Sequence, residues 1–372
     1  MPAAESPKTK KTKPVVIALD AMGGDHAPEA IVAGAARLSL TTPHLQTILV
    51  GDVQRISTLL ETTRHDPERL SVQHASQSIA MDESPHEALA AKPDASLLVA
   101  ARLVASGEAD ALVTAGNTGA TILACAKTFR LLPGIRRAAL AAVYPTQRMH
   151  GGQQQDPFSL MLDVGATVGC TADDLVAFAV MGSAYAQVVS KNPEPTVALL
   201  SNGTEPHKGT PEVVEAHARL GRHPGLKFIG NVEGVDIPKG TADVVVCDGF
   251  TGNVALKMLE GVGETVLGLA RFAYKRKLLW RAGMAMLAGG IRRLKALTDW
   301  QQYGGAPILG FDHLVIKAHG RSGERAVINA CKVAAKAASS GLLQKIAAGV
   351  DQARQAPAAG SGQAPSGQRA AG

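Results

Sequence analysis

Aromatic residues are scarce in this chain. Two tryptophans, four tyrosines and seven phenylalanines amount to 3% of 372 residues. Any large core must therefore be filled by Ala, Val, Leu and Ile, which the 46% apolar content allows. The shortage also removes the aromatic-interleaved basic stripe on which single-stranded nucleic acid stacks. A formal net charge of +6 suits anionic partners without singling out nucleic acid. Cysteine is sparse as well. Cys125, Cys170, Cys247 and Cys331 lie far apart, so no C-x-x-C or zinc spacing exists. Three of them sit in apolar or Ala-rich runs and read as buried thiols in a reducing, cytosolic compartment. No apolar run approaches the roughly 18 residues of a membrane-spanning helix. No G-x-S-x-G elbow is present, no G-x-G-x-x-G follows a strand, and no Asp-His cluster has metal-ligand spacing.

Both ends differ in composition from the rest. Residues 1–14, MPAAESPKTKKTKP, are basic and polar without the apolar stretch of a signal peptide, and read as a disordered tail. Residues 351–372 finish in QAPAAGSGQAPSGQRAAG, a low-complexity mixture that cannot bury a core and is likewise expected to be disordered. Between them, 15–350 reads as one α/β domain. Continuous apolar runs at 15–20, 46–51, 109–114, 158–163, 196–201, 242–248 and 313–318 suggest strands covered on both faces. They alternate with helix-like stretches such as PEAIVAGAARL and ASLLVAARLVASG. That alternation predicts a largely parallel sheet, with ligands beyond the carboxyl ends of its strands.

Three of these junctions share a shape. Gly116-Asn117-Thr118-Gly119, Gly249-Phe250-Thr251-Gly252 and Gly320-Arg321-Ser322-Gly323 each follow an apolar run and open a helix-like stretch. A helix N-terminus offers unpaired N–H groups and partial positive charge, and glycine lets backbone approach an anion closely. Such turns can hold a phosphate-sized anion. A capped tight turn needs the same residue types, so each turn alone is open to either reading.

The motifs IALDAMGGDHAP (17–28), MDESP (81–85), AGNTGA (115–120), MLDVGA (161–166), GNVEG (230–234), VCDGFTGNVALK (246–257), YGGAPILG (303–310) and IKAHG (316–320) occur in this order. Together they resemble the PlsX family, the bacterial phosphate acyltransferases that begin phospholipid synthesis, over roughly residues 15–350. The resemblance implies a three-layer α/β/α sandwich related to phosphotransacetylases and isocitrate dehydrogenase-like proteins. It implies a homodimer at the cytoplasmic face of the membrane, with acyl carrier protein as donor and inorganic phosphate as acceptor. The acyl phosphate product would pass to a glycerol-3-phosphate acyltransferase.

Phosphate is its own nucleophile, so this transfer requires no covalent enzyme intermediate, cofactor or metal. It requires a held phosphate, donors where oxyanion charge develops and a proton for the leaving thiol. The resemblance favours Lys208, Asp248 and Asn253 as catalytic residues. Gly116, Asn117, Thr118, Gly119, Gly249, Thr251, Gly252, His319, Gly320 and Arg321 would bind substrate and phosphate. By residue type alone, Lys208 reads as a solvated loop lysine, and Asp248 is equally a helix cap. His319 is either a proton donor or a hydrogen-bonded core histidine. The DAMGGDHAP loop, rich in carboxylates, reads as architecture or as an orienter of basic groups. Thr167, Gly169 and Pro206-His207 depart from the pattern associated with the family.

Residues 268–298 are expected to form an amphipathic helical hairpin broken at Gly289-Gly290. Basic residues from Arg271 to Lys295 flank an apolar tip that includes Leu278, Leu279, Trp280 and Leu287. This pattern suits an anionic bilayer surface, and it also suits a dimer interface. Two other functions are carried as alternatives: a decarboxylating hydroxyacid dehydrogenase, and a catalytically silent membrane scaffold. The scaffold gives no reason for three glycine turns and Lys208.

Overall fold

The computed structural model describes residues 13–150, 158–276, 283, 286, 287, 289, 290 and 304–355. Their strands are β1 (Val15–Asp20), β2 (Leu45–Gly51), β3 (Leu70–His74), β4 (Ala111–Thr114), β5 (Ala139–Pro145) and β6 (Phe158–Leu162). They continue with β7 (Thr196–Leu200), β8 (Lys227–Val232), β9 (Val244–Val246), β10 (Ala306–Leu309) and β11 (Leu314–Lys317). All join one sheet in the order β3-β2-β1-β4-β11-β10-β5-β6-β9-β7-β8.

The sheet is parallel within two blocks and antiparallel between them. β3, β2, β1, β4 and β11 run together, as do β6, β9, β7 and β8. Three antiparallel pairings, β11 to β10, β10 to β5 and β5 to β6, turn the second block to the opposite sense. The expected largely parallel sheet thus has an antiparallel centre.

Helices cover both faces. One face carries α1 (Glu29–Thr41), α2 (Val53–Thr62), α6 (Ala172–Tyr185) and α7 (Pro211–Leu220), with α10 (Glu324–Ser339) and α11 (Leu342–Gln355). The other carries α3 (Pro85–Ala91), α4 (Ser96–Ala105), α5 (Thr118–Thr128), α8 (Asp236–Lys239) and α9 (Gly249–Arg276). Local chemistry fixes several starts. The Asp52 carboxylate accepts from the N–H groups of Gln54 and Arg55 at 2.9 and 3.2 Å, and Thr171 with Asp174 forms a capping box. Ala, Val, Leu and Ile fill most of both cores. Phe178 of α6 is a rare aromatic with no exposed surface. Burial raises the pKa of all four thiols, Cys331 to about 12 and Cys170 to about 11.

Two boundaries expected in the carboxyl-terminal half are revised. Residues 268–276 are the end of one 28-residue helix that begins at Gly249, not the start of a separate hairpin arm. Gly289 and Gly290 are helical and Leu287 just before them is a turn, while most of the expected hairpin over 268–298 lies outside the described residues. α11 continues through 351–355, where a tail was expected. Leu278, Leu279 and Trp280 lie outside the described residues, whereas Leu287 is described and exposed. Among the described residues no helix is long and apolar enough to cross a membrane.

Because so few aromatics fill this core, losing one leaves a hole that aliphatic neighbours refill poorly. Phe178→Ala should cost about 3–5 kcal/mol of unfolding free energy. Denaturant titration of the parent and the variant measures it; a midpoint unchanged from the parent contradicts the packing described.

Candidate active site

A cavity of about 750 Å³ opens at the seam between the two blocks of the sheet. β5 supplies its floor through Leu140, Ala142 and Val143, joined by Val164 from the turn after β6. The first turns of α9 form one wall, with Phe250, Asn253, Leu256, Lys257 and Glu260. The opposite wall comes from the end of β11 and the turn after it: Lys317, Ala318, His319, Gly320, Arg321 and Ser322. Thr118 at the start of α5 and Asp25 after β1 close the rim. An apolar floor therefore lies between two walls that carry cations, Lys257 on one and Lys317 with Arg321 on the other.

Of the residues expected at the site, Thr118, Gly249, Asn253, His319, Gly320 and Arg321 converge on this cavity. Asn253 faces the backbone of Gly165, and its amide makes no hydrogen bond among the described residues. The Nδ1 of His319 accepts from the Arg321 N–H at 3.2 Å. Burial, then the nearby Lys257 and Arg321 charges, lowers the His319 pKa below its ordinary value and favours neutral imidazole. Arg321 also reaches Glu264 of α9 at 3.5 Å, an exposed ion pair of small energetic value.

The other expected residues do not line this cavity. Asn117 accepts from the Ala120 N–H at 3.0 Å to cap α5, and its amide donates to the Met81 carbonyl at 3.0 Å. The Asp248 carboxylate accepts from the Thr251 N–H at 2.9 Å and caps α9. Gly116 packs against Gly23, where a Cβ on Gly23 would come within 2.8 Å of the Gly116 nitrogen. A Cβ on Gly119 would meet the Pro85 ring at 2.8 Å. On Gly252 it would collide with the Asp163 carbonyl oxygen. These glycines admit close approach of protein backbone and side chains. Lys208 is half-buried in the loop after β7, off the cavity wall, with its aliphatic chain beside Gly203.

Two groups important to the site lie within the quoted motifs MLDVGA and IKAHG but were not among the expected site residues. Asp163, wholly buried, accepts from the N–H groups of Leu140, Gly165, Ala166 and Thr167 at 2.9, 3.1, 3.0 and 2.8 Å. It also accepts from the Thr167 hydroxyl at 2.9 Å, and that hydroxyl accepts from the Gly249 N–H at 3.2 Å. Lys317 is the other. It ends the apolar strand LVIK with only 6% of its surface exposed. A charge closing a buried strand is the signal by which the sequence discloses it. Burial brings the Lys317 pKa down to about 8, against the opposing charges of Asp20 and Asp25. Asp20, raised by its own burial, accepts from Ser96 Oγ at 2.6 Å, Thr114 Oγ1 at 2.7 Å and the Met22 N–H at 3.2 Å. The DAMGGDHAP loop thus faces a basic group with a carboxylate fixed by three donors. Among the described residues, no group of three or more His, Cys, Asp or Glu converges to a metal site.

The family profile described as "Fatty acid synthesis protein" matches residues 15–345. A phosphate acyltransferase of Myxococcus xanthus is 43% identical over 332 residues, covering 89% of this chain and 92% of the relative. One of Parvibaculum lavamentivorans is 42% identical over 347 residues, covering 92% and 93%. Among solved structures, a phosphotransacetylase from Streptococcus pyogenes superposes with a TM-score of 0.60 at 17% identity, covering 88% of this chain and 94% of that one. That likeness concerns the fold, a three-layer α/β sandwich.

The packing distances order the glycines by tolerance. Gly252→Ala must push α9 off the Asp163 turn and should destabilise by about 1–3 kcal/mol or more. Gly261 of the same helix has open space around it, and Gly261→Ala should stabilise by up to about 1 kcal/mol. Thermal unfolding of the two variants tests this; equal melting temperatures would contradict the close approach at Gly252.

Proposed function

This chain belongs to the phosphate acyltransferase family, and we propose that it moves a long-chain acyl group from acyl carrier protein to inorganic phosphate. The observation that carries this reading is the cavity's division into an apolar floor and walls that carry cations. Leu140, Ala142, Val143, Val164 and Leu256 suit the first carbons of an acyl chain. Lys257 and Arg321 suit a phosphate dianion at the chain's reactive end. Bound there, a phosphate oxygen attacks the thioester carbonyl directly, and Asn253 and Thr118 donate to the oxygens on which charge develops. The acyl phosphate is then available for phosphatidic acid synthesis by a glycerol-3-phosphate acyltransferase.

Lys208 belongs to this proposal as the charge offered to the thioester side. Its loop between β7 and α7 would fold inward over the donor. The test uses the purified chain with palmitoyl carrier protein and inorganic phosphate, following phosphate-dependent release of carrier thiol and formation of acyl phosphate. Release without phosphate, or none at all, contradicts the reading. Lys208→Ala should reduce turnover by about 10²–10³-fold. Turnover close to the parent's from a folded variant removes Lys208 from the mechanism.

We further propose a homodimer that works at the cytoplasmic surface of an anionic membrane. Phe250, Val254, Met258, Val262, Val266, Leu269 and Phe272 repeat at helical spacing along α9 and are all exposed, a stripe that a second copy would cover. Beyond it, the basic residues up to Lys295 would each gain about 1 kcal/mol near anionic lipid, and two copies would add avidity. Exchanging Leu279 and Leu287 for Glu should release the protein from anionic vesicles and spare turnover of soluble substrate. Loss of the dimer with vesicle binding retained would instead make this segment an oligomer interface.

A further inference from the structure

Three basic side chains face the cavity, and they are not equivalent. Lys257 and Arg321 are exposed, whereas Lys317 is buried at the end of β11. An ammonium has three N–H groups. Among the described residues that of Lys317 has one hydrogen-bond acceptor, the carbonyl oxygen of Ala318. The remaining N–H groups belong to a residue of the cavity wall. Opposite it stand Asp20, at the end of β1, and Asp25 in the following turn; His319 lies on its own chain two residues on. Asp20 is already bound by Ser96, Thr114 and the Met22 N–H, so it counters the charge without consuming the free donors.

We propose that Lys317 is the proton carrier of the acyl transfer: its ammonium protonates the departing thiolate, and the resulting amine takes the proton that remains on the phosphoryl group. The assignment rests on the transfer reading given above. Phosphate enters as the hydrogen phosphate dianion. One of its unprotonated oxygens forms a C–O bond to the thioester carbon. The C–S bond breaks, its electron pair leaves on sulfur, and sulfur takes a proton from Lys317 Nζ. Acylation makes the remaining P–OH more acidic, and its proton returns to the lysine. Thioester and hydrogen phosphate become thiol and acyl phosphate dianion, with Lys317 restored and no further reactant.

Three observations favour Lys317 over its neighbours. His319 is held towards the neutral form, so it has no spare proton to give. The exposed guanidinium of Arg321 retains its proton throughout and suits a fixed charge. Burial leaves Lys317 with a pKa of about 8, where ammonium and amine are close in free energy.

The experiment compares two acyl donors with inorganic phosphate as acceptor: palmitoyl carrier protein, whose alkyl thiolate needs a proton to leave, and a palmitoyl nitrophenyl thioester, whose thiolate does not. Lys317→Met should slow transfer from the carrier by about 10²–10⁴-fold, the usual range for general acid–base catalysis. It should leave the aryl donor and the KM for phosphate within a few-fold of the parent. The unmodified chain supplies a second measurement that does not depend on the variant's folding. Its turnover of palmitoyl carrier protein should fall as pH rises through about 8, and its turnover of the aryl donor should not. Equal loss on both donors, a loss lying wholly in phosphate KM, or the same pH profile for both donors overturns the assignment and leaves the transfer reading intact. An unmodified chain that acylates phosphate from neither donor overturns both.

Discussion

One buried carboxylate sets the geometry around the cavity. Asp163 follows β6 at the point where the two blocks of the sheet meet, and it gathers five donors. One of them, Leu140 N–H, belongs to β5, so the antiparallel seam and the turn after β6 are fastened together. Thr167 carries the influence onward, since its hydroxyl receives the first N–H of α9. The Cys247 thiol donates to the Asp163 carbonyl at 3.2 Å, and Gly252 lies against the same carbonyl. The depth at which α9 begins is therefore fixed by one residue, and α9 carries Asn253, Lys257 and Glu260 along the cavity wall. Such a charge is tolerated in a core because hydrogen bonds to it replace those of water.

The strands inside each parallel block were legible because both of their faces are buried. β1 spans the residues of its apolar run, and the other expected strands shift only at their ends. β3 and β8 escaped because they are edge strands with partly exposed residues along them. β5 and β10 escaped for another reason: they are antiparallel segments ending or beginning near proline, without the strand-helix alternation around them. The site was legible as a set of turns but not as a set of roles. Asn and Asp at a helix start serve equally as caps and as ligands, and Asn117 and Asp248 are caps here. Thr167, which departs from the pattern associated with the family, proves to be a link in the Asp163 network.

The glycines separate the same way. Gly249 reaches the cavity and also packs on Thr167, while Gly116, Gly119 and Gly252 are small because protein atoms press on them. Dense packing of backbone against backbone brings the turns after β1, β4 and β11 together, with Gly24 at a φ of +109° beside the Gly320 carbonyl. The cations of the two walls are then presented at different depths, Lys317 buried and Lys257 and Arg321 exposed. Family membership makes the chain an enzyme and removes the silent scaffold as an alternative.

The sheet order has a consequence for how the molecule comes into being. β11 lies between β4 and β10, with Leu314 opposite Ala111, so a strand made late in synthesis completes a block begun at the amino terminus. Closing so long a loop is entropically costly and is repaid only when the distant strand arrives. Until then β4 is an open edge beside an unfinished core. The cavity, whose walls come from the middle and the end of the chain, is assembled only after the ribosome has delivered β11. A nascent chain therefore holds no site at which to bind a substrate too early.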